Sequence, residues 1–170
     1  MLSVAIAIND RNNKVVPFVV SLFTWAKAYH CELVFSDGQS VIADPRGVYW
    51  SKRDYDPYQW ILLPLFEISA DEEAEIRKAA EEVIASHAGY DWLGAILGRF
   101  SSSFDDPSKW YCSELTAYLL RNHVPTLNTE EWITPQKLWR KTADHLILAA
   151  TQHGYTSYLS ELTHGSAPES

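Results

Sequence analysis

The chain predicts an α+β domain in which a small antiparallel sheet packs against helices. Three observations carry that expectation. Short β-rich runs punctuated by turn residues fill the chain up to about residue 65. Clear helical spacing of apolar residues follows from residue 69 onward. Between two of the early runs stands Asp37-Gly38, a strong short-range hairpin signal that makes its flanking strands antiparallel. Strands first and helices after is the α+β pattern, not the alternation of a parallel α/β sheet.

Each element has its own reason. Residues 2–8 are apolar and predict a buried first strand, and the polar residues 9–14 a turn or loop. Pro17 suits the first position of a helix, and Phe18, Leu22, Trp25 and Ala26 follow at helical spacing, which predicts a short helix over 17–27. Residues 30–35 and 40–44 are the arms of the hairpin. Pro45-Arg46-Gly47 breaks the chain, Val48-Tyr49-Trp50 resumes it, and residues 60–65 close the sheet. Ser69-Ala70-Asp71-Glu72 has the spacing of a capping box. Ile76, Ala80, Val83 and Ile84 then mark an amphipathic helix that Gly89 ends, its acidic side a solvated face. Residues 90–98 read as a short helix, 101–108 as a serine-rich loop, and 114–121 as a further helix. Residues 122–132 read as a loop or lid. Thr134-Pro135 starts a last helix through about His145, with 146–150 either extending it or forming a strand.

At 170 residues the chain fits one domain over 1–164, with 165–170 as a frayed tail. The hydrophobic fraction of 46% and aromatic fraction of 13% are those of a globular protein. A net charge of −8 argues against a nucleic-acid surface and against a polybasic membrane anchor. Two cysteines, Cys31 and Cys112, make neither a disulfide framework nor a zinc spacing, so no metal or cofactor is expected. The first residues lack a basic n-region and read as a strand, not a signal peptide. No apolar run is long enough to cross a bilayer, and the expected compartment is a reducing cytoplasm.

Cys112 is the most informative residue. In Trp110-Tyr111-Cys112-Ser113-Glu114-Leu115 it stands where a loop turns into a helix. Unpaired N–H groups and the positive end of the helix dipole favour the thiolate there. His30 lies on a strand with Glu32 two residues on, hence on the same face. Cys, His and a carboxylate are the minimal kit for covalent thiol catalysis, with Cys112 as nucleophile and His30 as base. Two carboxylates compete to orient His30: Glu32 on its own strand, slightly favoured, and Asp44 on the returning strand, with an uncharged group or water as the remaining option. The backbone N–H of Cys112 is one oxyanion donor. Cys31 should point away from the face that carries His30, so a Cys31–Cys112 disulfide would conflict with this site. Each piece alone has an ordinary reading: a cysteine at a helix start is often a small buried hydrophobe. Glu32 is the odd one, because a carboxylate between apolar strand residues is costly unless paired or wet.

The ordered set resembles the circularly permuted NlpC-type papain-like group, in which the catalytic His precedes the catalytic Cys. That group includes YiiX-like hydrolases and the lecithin:retinol acyltransferase family. The stretch His30-Cys31-Glu32-Leu33-Val34-Phe35-Ser36-Asp37-Gly38 is especially similar to small proteins of bacterial viruses and prophages. Those proteins also carry a Gly-Val (here Gly47-Val48), a Trp strand (Trp60), a Tyr-Asp-Trp-Leu-Gly turn (Tyr90 to Gly94) and a Cys-Ser-Glu (Cys112 to Glu114). The resemblance spans about residues 28–140. It implies a permuted papain-like fold with Cys112 as nucleophile, His30 as base, and Tyr90 and Tyr111 as substrate-binding residues. One departure stands out: many relatives place a Glu or His on the second hairpin strand, where this chain has Ala43.

Three functions follow. The first is a cysteine peptidase or amidase, a thiol hydrolase that cleaves a peptide or isopeptide bond in a peptide or protein substrate. The second is acyl transfer with lipids, for which the chain shows no hydrophobic anchor. The third is a non-catalytic interaction module, associated with a virion or acting in a host cytoplasm.

Overall fold

The computed structural model describes residues 1–8, 28–90, 109–128 and 133–153. Within them one antiparallel sheet of five strands forms: β1 (Ser3–Ile8), β2 (Ala28–Val34), β3 (Ser40–Asp44), β4 (Gly47–Ser51) and β5 (Trp60–Pro64). Their spatial order is β4-β3-β2-β1-β5. Three helices follow, α1 (Ala70–Ala85), α2 (Cys112–Leu120) and α3 (Pro135–His153), with a 3-10 turn at Pro125–Leu127. A short parallel pair, β6 (Gly89–Tyr90) and β7 (Lys109–Trp110), leads into α2. The expected α+β arrangement is therefore present. Among the described residues no helix is long and apolar enough to cross a membrane.

The alternation of strand side chains sorts the sheet into two faces. Leu2, Val4 and Ile6, Cys31 and Leu33, and Val41 and Ala43 enter the core with Ile76, Leu115, Leu119 and Leu138 of the helices. The other face carries His30 and Glu32. Across the sheet from Glu32 is Ala5, and across from His30 is Ala7. Trp60 flanks Ala7 on its other side. Both alanines are fully buried, and their small size leaves room for the larger polar and aromatic groups beside them.

The hairpin closes as its Asp-Gly predicts. Gly38 takes φ +80°, and the Phe35 N–H donates to the Gln39 carbonyl at 2.8 Å. The ladder between β2 and β3 is short, with only Leu33 facing Val41 and Val34 facing Ser40. Beyond it, residues 28–32 of β2 have no strand neighbour on that side among the described residues, and this gap positions the site. Gly47 has a different reason. Its φ is +109°, and a Cβ there would meet the Ala88 carbonyl at 3.1 Å, where the chain crosses to β6.

Two expectations are corrected. The helix after Ser69 ends at Ala85, and its left-handed residue is His87 (φ 53°), not Gly89, which begins β6. Tyr90 is a strand residue paired with Trp110, not the start of a helix, and residues 91–98 lie outside the described residues. Of the two alternatives for residues 146–150, the helical one holds: they extend α3, which runs to His153. The helix expected over 17–27, the serine-rich loop, residues 129–132 of the expected lid and the tail also lie outside the described residues.

The capping box at α1 is complete. The Glu72 N–H donates to Ser69 Oγ at 3.3 Å, and the Ser69 N–H donates to Glu72 Oε2 at 2.9 Å. Ser69→Ala should therefore lower stability by about 1 kcal/mol, read as a reduced midpoint in urea with an unchanged slope.

Candidate active site

The site forms where the N-terminus of α2 meets the unpaired stretch of β2. Each residue of the Tyr-Cys-Ser-Glu run has a local task. Tyr111 is the N-cap, and its N–H donates to Glu114 Oε2 at 3.4 Å, one half of a capping box. Ser113 is buried and donates to the Ile133 carbonyl at 2.7 Å, which ties α2 to the segment leading into α3. Thr116 donates back to the Cys112 carbonyl at 2.9 Å. Cys112 is thereby fixed as the first helical residue, next to the positive end of the helix dipole. On the strand side, the Ala28 N–H donates to Gln136 Oε1 of α3 at 3.2 Å, which satisfies one donor on the open edge of β2.

Cys112 reaches both faces of β2 from this edge. His30, on the face away from the helices, and Cys31, on the helix face, both lie close enough to Cys112 to shift its ionisation. The expectation that His30 and Cys31 point to opposite faces holds. A side chain at a strand's edge is accessible from both faces, which alternation along the strand leaves out. Both cysteines are free thiols.

The charges are strongly coupled. The Cys31 hydrogen bonds and the His30 charge overcome burial and hold the Cys112 thiol well below the ordinary thiol range. Burial and the Cys112 sulfur push the Cys31 thiol well up. For His30, burial opposes the charged form, but the Cys112 charge and hydrogen bond, with Glu32 behind them, raise the pKa to about 10. Both shifts favour a thiolate–imidazolium pair at rest. The stability that His30 contributes is complete below its ordinary 6.5 and is lost as pH rises through about 10. The stability from the depressed thiol is complete above the ordinary thiol value of about 8.5 and is lost as pH falls through its folded value. Between about 6.5 and 8.5 the two slopes cancel, because folding moves a proton from sulfur to imidazole with no net uptake.

Glu32 orients the imidazole. It is fully buried, and its Oε1 lies 3.4 Å from His30 Nε2 and 3.1 Å from Arg53 Nη2. These are ion-pair contacts at angles outside a well-formed hydrogen bond. The Tyr55 hydroxyl donates to Oε2 at 2.7 Å. Burial alone would raise the Glu32 pKa, but His30, Tyr55 and Arg53 together hold it below the ordinary carboxylate range. With Nε2 directed at Glu32, the ring nitrogen left for the thiolate is Nδ1. Trp60 stands edge-on to the His30 ring at 6.1 Å and to Tyr55 at 5.1 Å, and the Arg53 guanidinium lies 5.5 Å from its ring centre.

The other expected residues divide. Asp44 does not reach His30. The β2–β3 register would carry it opposite His30, but the ladder stops at Leu33, and the Asp44 carboxylate is held by Arg46 and by the Tyr49 hydroxyl at 2.7 Å. Those partners lower its pKa to about 2 against the opposing effect of burial. Ala43 belongs to the core and offers no polar group. Tyr90 is half-buried on the pair that leads into Cys112. Tyr111 is the N-cap of α2 and, like Cys112, is 5% exposed. Arg53 and Tyr55 were missed, because residues 52–58 read only as a polar connector. The available signal was Glu32 itself: a carboxylate in a strand needs partners, and a nearby Arg and Tyr are the types that supply them.

Two outcomes follow. The His30 imidazolium should persist past pH 8 and titrate near pH 10 in nitrogen chemical-shift measurements, and Glu32→Gln should lower that value. Glu32→Ala should cost about 1–3 kcal/mol in denaturant unfolding, since Arg53 is partly exposed and can turn to water.

Compared with protein-family models, curated proteins and solved structures, the chain matches none.

Proposed function

We propose that this protein is a cysteine-dependent hydrolase that cleaves an amide bond in a peptide or protein substrate. The observation that carries the reading is the joining of three residues from separate places in the chain. The Cys112 thiol opens a helix in hydrogen-bond contact with His30, and the far nitrogen of His30 faces the buried Glu32. The order of a His strand before a Cys helix is that of the permuted papain-like group, and we assign the fold to that group.

In the reaction the Cys112 thiolate attacks the scissile carbonyl carbon. The Cys112 N–H, which has no intrahelical acceptor at the first position of α2, is a donor to the oxyanion. His30 Nδ1 gives its proton to the leaving amine as the carbon–nitrogen bond breaks, leaving a thioester on Cys112 and a neutral imidazole. That imidazole takes a proton from water, which attacks the thioester. The acid is released, and the thiolate–imidazolium pair is restored. Glu32 holds one ring orientation throughout and stabilises the imidazolium in each resting interval. We assign Tyr90, on the β6–β7 pair that leads into α2, to the lining of the approach to the thiol. Two free, buried thiols suit a reducing cytoplasm.

The test is hydrolysis of a panel of peptidyl aminocoumarin amides, with intact-mass detection of an acyl adduct on Cys112. Cys112→Ala should abolish the adduct, and His30→Ala should reduce kcat/KM by about a thousandfold. Turnover that survives in Cys112→Ala, or no turnover of amides or of the matching activated esters by the wild type, would overturn the reading and favour an interaction module.

A further inference from the structure

Cys31 has no part in the hydrolytic cycle, yet it is built against the nucleophile. It projects from β2 into the core with 1% exposure. Its sulfur lies 3.8 Å from Thr116 Oγ1, one helical turn beyond Cys112, and Thr116 is itself bonded to the Cys112 carbonyl. Thr116 thus links the Cys31 thiol to the first turn of α2, and both cysteines belong to one buried cluster. A core position on a strand needs only a small apolar residue. A thiol there, against the first turn of the helix that a second thiol opens, provides a chemistry that Ala or Val would not.

We propose that Cys31 is the resolving thiol of an oxidative modification site, and that peroxide converts Cys112 and Cys31 into a reversible intramolecular disulfide. As a way to silence the active site this rests on the hydrolase reading; as thiol chemistry it stands apart from it. In the first step the Cys112 thiolate attacks a peroxide oxygen. A sulfur–oxygen bond forms, the oxygen–oxygen bond breaks, and the departing hydroxide takes the His30 imidazolium proton to become water. In the second step the Cys31 sulfur attacks Cys112 Sγ. The sulfur–sulfur bond forms, the sulfur–oxygen bond breaks, and the departing hydroxide takes the Cys31 thiol proton as a second water. The two sulfurs lose two electrons in all, and one peroxide is reduced.

The geometry favours both steps. Peroxide is small enough to reach a thiol of 5% exposure. With Cys31 Sγ against the first turn of the helix that Cys112 opens, side-chain rotation can bring the sulfurs toward the roughly 2.05 Å of a disulfide. The negative charge that opposes ionisation of Cys31 is the Cys112 thiolate, and the first step removes it. The disulfide takes away the nucleophile and the anionic partner of His30 together. It also protects Cys112 from the sulfinic and sulfonic acids, which thiols do not reverse.

The test reads thiols and not turnover, so it can fail or succeed independently of the hydrolase assignment. Full-length reduced protein is treated with hydrogen peroxide, quenched, and mapped by non-reducing peptide mass spectrometry. The expected result is a linked pair of peptides carrying Cys31 and Cys112, an intact mass lower by two hydrogen atoms, and full return of both thiols with dithiothreitol. In Cys31→Ser the same treatment should instead drive Cys112 to sulfinic and sulfonic acid. The proposal is overturned if wild-type Cys112 over-oxidises while Cys31 stays alkylatable after denaturation, or if the only disulfide joins two chains. The wild-type map decides these outcomes even if the variant does not fold.

Discussion

The site depends on two neighbouring strands that part. β2 pairs with β3 only at Leu33 and Val34; β3 runs on to Asp44 beside β4, and among the described residues, 28–32 continue beside β1 alone. Backbone donors on the open side still need partners. Gln136 of α3 takes one. The N-terminus of α2 packs against β2 where the two strands have parted. A helix end that carries positive partial charge is placed against a strand edge that donates hydrogen bonds, and the sulfur between them is stabilised as an anion from both sides. A β3 that continued along β2 would leave no room for this arrangement.

The second constraint is the burial of Glu32. A carboxylate with no exposure is tolerated because three groups converge on it from two segments: His30 from its own strand, and Arg53 and Tyr55 from the loop between β4 and β5. Ala5 and Ala7 on the central strand make the space. The loop thus acts on the thiol at one remove. It sets the charge state of Glu32, Glu32 sets the orientation and protonation of His30, and His30 sets the ionisation of Cys112. Trp60, edge-on to both His30 and Tyr55, lines the same face. The proposed hydrolytic and oxidative chemistries would both draw on the same ionised sulfur, with His30 supplying the proton in each.

Much of the fold was legible because it is written locally. The Asp37-Gly38 hairpin, the Ser69 capping box and the helix that Cys112 opens each depend on residues within a few positions of one another, and each formed as expected. The His30–Glu32 pair was legible for the same reason, since strand alternation sets two residues on one face. What depends on distant packing was not. Asp44 was a fair alternative by register, and it failed because the ladder ends early, a property of the whole sheet. Arg53 and Tyr55 were invisible because a loop's direction is set by the strands it joins. His87 takes the left-handed position after α1 in place of a glycine, and Gly89 lies two residues on, in β6.

The thiolate–imidazolium pair is the central claim, and the rate of iodoacetamide alkylation at Cys112 against pH tests it most directly. The wild type should react at a nearly constant rate from about pH 6 to 8, because the thiolate is already formed, while Cys31 stays slow. In His30→Ala the rate at Cys112 should become pH-dependent, with its midpoint moved up toward about 8.5. Identical profiles in both proteins, each rising toward an ordinary thiol value, would contradict the account.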